Sequence, residues 1–144
     1  MITREVNYVD YNGDEQTEKY YFDLTVPEML ELSFSSAGDI QSTLERLSNS
    51  RKVGEIFNII QTLIFKSVGV KSDDGKRFVK NEEVLNDFRQ SRGYEAFLMK
   101  MMQDTDYASK FIEQLIPQDR IQQIAGVEKV DGGKHPLAMD KKRG

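Results

Sequence analysis

The sequence predicts a mostly helical α+β domain, an N-terminal β-hairpin packed on a bundle of about five or six helices, with a second short hairpin or an ordered loop over residues 68–80. Three observations carry that reading. Two aromatic-rich, strand-like runs flank Asn12-Gly13, the strongest short-range hairpin signal because both residues tolerate positive φ. The second run leads into Thr25-Val26-Pro27-Glu28, where Thr25 caps a helix and Glu28 reaches back to the cap's own amide. Beyond that point apolar residues recur at helical spacing for most of the chain.

Taken in order, the first strand alternates Val6 and Tyr8 with Asn7, and the second alternates Tyr20, Phe22 and Leu24 with Tyr21 and Asp23. One face of the hairpin is therefore apolar enough to need cover. Leu24 just before the cap and Met29 at the fourth helical position have the spacing of a hydrophobic staple, which ties the hairpin to the first helix. A helix from about Gly38 to Ser48 carries Ile40, Leu44 and Leu47 on one face, and the next begins near Ser50 or Arg51. Its Val53, Ile56, Phe57, Ile60, Leu63, Ile64 and Val68 make a wide apolar stripe, as expected of the central core helix. Asp74-Gly75 then turns the chain between two short Val/Phe pieces. Asn81, followed by Glu82 and Glu83, caps a short helix bearing Val84, Leu85 and Phe88. Tyr94, Phe97, Leu98, Met101 and Met102 mark one further helix, and Ala108, Phe111, Ile112, Leu115 and Ile116 another that Pro117 ends. A turn or two more is expected between Pro117 and Ala125. After Gly126 the periodicity stops, which predicts one domain over residues 1–126 and a disordered tail over 127–144.

At 144 residues a single domain buries roughly 68 to 70% of its unfolded surface and needs no staple. There is no cysteine, so disulfides and thiolate metal sites are excluded and a cytosolic site of action is the default. No apolar run is long enough to span a bilayer, and no basic-then-apolar leader opens the chain, so neither membrane insertion nor classical export is expected. A formal net charge of −4 and the lack of a basic, aromatic-laced stripe disfavour nucleic acid as a partner.

No catalytic residues, cofactor site or metal site are expected. The sole histidine, His135, lies in the expected tail, unsupported as a base. There is no phosphate-binding loop, nucleophile elbow or helical histidine pair. Two acidic turns, Asp10/Asn12/Asp14 and Asp73/Asp74, do not fit a calcium loop, since Gly13 stands fourth rather than sixth from Asp10; they read as solvated turn residues. Met101 and Met102 lie on a core stripe and read as core filler. Ile59, Phe65 and Met99 lie off their helices' stripes; with about 100° per residue, Ile59 and Phe65 point away from Ile56, Ile60 and Ile64. Those three are the residues expected to meet a partner.

Three phrases, YVDYNGDEQTEKYYFDLT, LIFKSVGVKSDDGKRFVKNEEVLNDF and YEAFLMKMMQDTDYASKFIEQLIP, in this order over residues 8–117, resemble the tail assembly chaperones of long-tailed bacteriophages. The resemblance implies a non-enzymatic protein that coats the helical, apolar tape measure protein and keeps it soluble while tail tube subunits assemble around it. It implies action in the cytoplasm of the infected bacterium and absence from the mature virion. The chain resembles the short form of such chaperones. A longer form made by translational frameshifting would bring in the tail tube protein, and Gly133-Lys134 and Lys141-Lys142 are residue pairs that slippery codons can encode. No role carries over to residues after Gly126. A structural or adaptor protein of a phage particle is the alternative. A hydrolase built on Glu82 and Glu83 is disfavoured, because adjacent helical residues point in different directions.

Overall fold

A computed structural model describes residues 1–35, 40–49 and 51–133. Seven helices and four strands lie among them, one helix more than the upper expected number. The hairpin is present: strands β1 (Ile2–Val9) and β2 (Glu15–Phe22) pair antiparallel from Ile2↔Phe22 to Val9↔Glu15. Its turn differs from the expected one in detail. The Gly13 amide donates to the Asp10 carbonyl (3.0 Å) and the Asp10 amide to the Asp14 carbonyl (2.9 Å), and positive φ is taken by Gly13 alone (+87°), not by Asn12. This is a turn followed by one left-handed residue, the usual way to close a hairpin with three loop residues.

Helix α1 (Val26–Ser35) starts at the foreseen capping box: the Thr25 amide donates to Glu28 Oε1 (2.9 Å) and the Glu28 amide to Thr25 Oγ1 (3.3 Å). Leu24 and Met29 are both buried in the core, as a staple requires. Helix α2 (Ile40–Asn49) follows, and the expected start at Gly38 lies outside the described residues. Helix α3 (Val53–Ser67) begins later than expected, with Lys52 as an extended cap that makes no side-chain cap bond. Two members of its expected stripe are corrected. Val53 is 70% exposed because the first turn overhangs the packed core, and Val68 is buried but opens a strand.

Strands β3 (Val68–Lys71) and β4 (Phe78–Val79) form the second hairpin around Gly75 (φ +74°). What the sequence did not indicate is that β3 joins β2 through Tyr21↔Gly69 and Phe22↔Val68, giving one antiparallel sheet in the order β1-β2-β3-β4. Close approach fixes Gly69, because a Cβ there would meet the Phe78 ring and lie 2.8 Å from the Val79 carbonyl oxygen. Helices α4 (Glu82–Arg89), α5 (Arg92–Gln103) and α6 (Thr105–Leu115) are capped by Asn81, Ser91 and Asp104, whose side chains accept from the amides of Val84, Tyr94 and Tyr107. Helix α7 (Gln118–Gly133) is longer than the turn or two expected and crosses Gly126; residues 134–144 of the expected tail, with His135 and the lysine pair, lie outside the described residues.

The core forms where the hairpin's apolar face meets α4, α5 and α6. Phe22 has no exposed surface; its ring stacks on Phe97 (centroids 5.1 Å apart, 19° between planes) and takes Phe111 edge-on (5.0 Å, 88°). A polar strap ties α1 to the segment after β4. Lys80 Nζ donates to both Glu28 carboxylate oxygens (2.7 and 2.8 Å) and to the Asp23 carbonyl (2.6 Å). Burial would push the Glu28 carboxyl up, but the Lys80 ammonium and the Thr25 amide outweigh it and hold the group below its ordinary 4.5. A depressed folded value stabilises fully above the unfolded one and is lost as pH falls through the folded one. Glu28→Gln is therefore expected to lower stability by about 1–2 kcal/mol at neutral pH, a value reduced for partial exposure. In thermal melts from pH 7 to pH 3, the gap between parent and variant should close below pH 4.5; a gap constant across that range would exclude the ion pair as its cause.

Candidate functional site

On α6 two apolar strips run side by side. Ala108, Phe111 and Leu115 are buried in the core, and beside them Ile112, half-buried, and the C-cap residue Ile116, buried, each one residue further on, form the second strip. Helix α5 repeats the device with Met101, buried, and Met102, half-buried.

That second strip lines a cleft of about 750 Å³ among α2, α3, α5, α6 and the start of α7. Ile60, Met101, Ala108 and Ile116 are its buried lining. Half-buried Leu44 and Leu47 from α2, Ile56 from α3 and Ile121 from α7 line it as well. Thr105, Ser109, Asn49 and Gln118 add neutral polar groups, and Glu45 and Glu113 are its charged residues. A helix about 10 Å across fills roughly 420 Å³ per turn, so the cleft has room for the side chains along one face of a few turns.

The residues expected to meet a partner sit elsewhere. Ile59 and Phe65 are half-buried against the core, Phe65 with its ring 5.2 Å from that of Tyr94, and Met99 is 46% exposed. None of the three lines the cleft. Sequence reasoning passed over Ile112, Met102, Leu44 and Leu47 by placing them on core stripes. No local signal marked them, since apolar residues at i, i+3, i+4, i+7 and i+8 are the ordinary core-facing pattern of a helix.

The acidic turns are occupied by their own backbone. Asp10 Oδ1 accepts from the Asn12 and Asp14 amides (both 2.9 Å), and its carboxyl is held below the ordinary range chiefly by the Asp14 amide. Asp74 Oδ1 accepts from the Ser72 hydroxyl (2.6 Å), the main cause of its own lowered value, and from the Lys76 amide (3.0 Å). Among the described residues no group of three His, Cys, Asp or Glu is placed to hold a metal ion, and no helix is long and apolar enough to cross a membrane. Glu82 and Glu83 are exposed in the first turn of α4.

Comparison with protein families identifies the kind of protein that carries this fold. A family model described as phage tail assembly chaperone matches residues 1–142. The chain belongs to that family. No curated protein and no solved structure matches it. As a tail assembly chaperone it is non-catalytic, and its partners are tail proteins. The match also takes in residues 118–142, beyond the span of the sequence resemblance.

Proposed function

We propose that this tail assembly chaperone binds the phage tape measure protein by seating the apolar face of a tape measure helix in the cleft among α2, α3, α5, α6 and α7. The cleft itself is the observation that carries the reading: it is apolar, helix-lined and furnished with Met101 and Met102, whose flexible thioether chains adapt to varied anchors. A tape measure protein offers many apolar turns along one chain, so individually weak seats coat it through multivalency. Weak seats also release it as tail tube subunits assemble. This work is done in the cytoplasm of the infected bacterium, and the chaperone is absent from the finished virion. A longer frameshifted form would link the same domain to the tail tube protein.

The test is co-expression with a tape measure fragment, reading the soluble fraction of the fragment. The parent is expected to raise it. Ile112→Gln combined with Met102→Gln removes two half-buried anchors worth about 1–2 kcal/mol each, an affinity loss of roughly 30-fold or more that should return the fragment to the pellet. The melting temperature of the variant should stay within a few degrees of the parent's. If the double variant solubilises the fragment fully while Met99→Gln does not, the client lies on the face of Ile59, Phe65 and Met99 and the cleft is not its seat.

A further inference from the structure

The charged side chains that line the cleft are of one sign. Its lining includes Glu45 on α2 and Glu113 on α6, and no Lys, Arg or His among the described residues. Overall the chain is nearly balanced, with 20 Lys and Arg against 24 Asp and Glu, so a cleft with anions and no cation is a local arrangement and not a consequence of net charge. Glu113 directly follows Ile112, which places it about 100° round α6 and on the border of the apolar strip. It is exposed, and no described residue makes a hydrogen bond or ion pair with its carboxylate.

Resting on the reading of the cleft as the client's seat, we propose that its occupant is a cationic amphipathic helix, an apolar stripe flanked by Lys or Arg, and that Glu113 selects it. A cation bordering the buried stripe meets the Glu113 carboxylate beside apolar surface, where the attraction is less screened than in open water. A Glu or Asp at the same place meets a like charge. Discrimination then comes as much from repulsion of the wrong helix as from attraction of the right one.

The probes are two synthetic 18-residue helical peptides with the same Leu/Ile stripe, one flanked by Lys and the other by Glu, titrated into the full-length chain at low and high salt. The Lys-flanked peptide is expected to bind about three- to tenfold tighter at low ionic strength, with the preference shrinking as salt rises. Glu113→Lys should abolish or invert that preference, and Glu113→Gln should reduce it; both change an exposed residue and should melt with the parent. Equal binding of the two peptides overturns the charge selection and leaves the cleft as a seat. Binding of neither peptide, or a self-associated chain whose cleft is closed to both, overturns the seat and the selection together. An unaltered preference in Glu113→Lys overturns the role of Glu113.

Discussion

Phe22→Ala is expected to lower folding stability by about 3–5 kcal/mol, the range for deleting a buried phenyl ring. The ring is fully buried at the end of β2, stacked on Phe97 from α5, edge-on to Phe111 from α6, and 6.1 Å from the Phe88 ring of α4. One side chain thus joins the hairpin to three helices. Its removal leaves a cavity walled by aromatic rings that cannot collapse without moving those helices, which puts the loss at the upper end. At roughly 3 °C per kcal/mol for a domain of this size, the melting temperature should fall by about 10 °C or more. Urea unfolding with an unchanged slope would confirm a loss of native packing. A loss under about 1 kcal/mol would remove the hairpin from the core.

Gly93→Ala is expected to destabilise as well, against the local preference of a helix. In an exposed helix interior the change is favourable by about 1 kcal/mol. At Gly93, however, α5 crosses the hairpin so closely that a Cβ would overlap the Tyr20 hydroxyl and lie 2.8 Å from Tyr20 Cζ and 3.0 Å from Tyr8 Cε1. Tyr20 cannot swing aside freely, because its ring is buried and packs edge-on against Phe88 (centroids 4.9 Å apart). Overpacking of this kind costs about 1–3 kcal/mol or more, which outweighs the helical gain. Tyr20→Phe alone should lose little, since the hydroxyl's contact with Ser91 Oγ is long at 3.5 Å. Adding it to Gly93→Ala removes the overlapping oxygen and should recover part of the loss, a coupling of about 1 kcal/mol in a double-mutant cycle. Strict additivity of the two changes would mean that the overlap is relieved elsewhere.

Features that depend on a few neighbouring residues were legible in the chain. Gly13 and Gly75 turn it where their neighbours suggested, Thr25 and Glu28 make the reciprocal cap, Asn81 caps α4, and Pro117 ends α6. Of the large stripe residues, Ile60, Leu63, Ile64, Phe97, Phe111 and Leu115 are in the core, whereas Phe57 is only half-buried. Where local reasoning erred, a longer-range contact intervened. Val53 satisfies the helical period, but its turn extends past the core; Val68 satisfies it too, but pairs with Phe22 as a strand.

The sequence by itself determined the class of the fold, the order of its elements and the family, because turn chemistry, capping and apolar period are written within a few residues of each other and survive in any environment. Only the tertiary structure decided that β3 extends the hairpin into a four-stranded sheet and that Lys80 straps Glu28 to the end of β2. It alone decided, too, that Ile112 and Met102 line a cleft while Phe65 packs against Tyr94. Periodicity says that an apolar strip must be covered, but which strip its neighbours cover and which they leave open is set by how helices distant in sequence cross, and no local pattern encodes that.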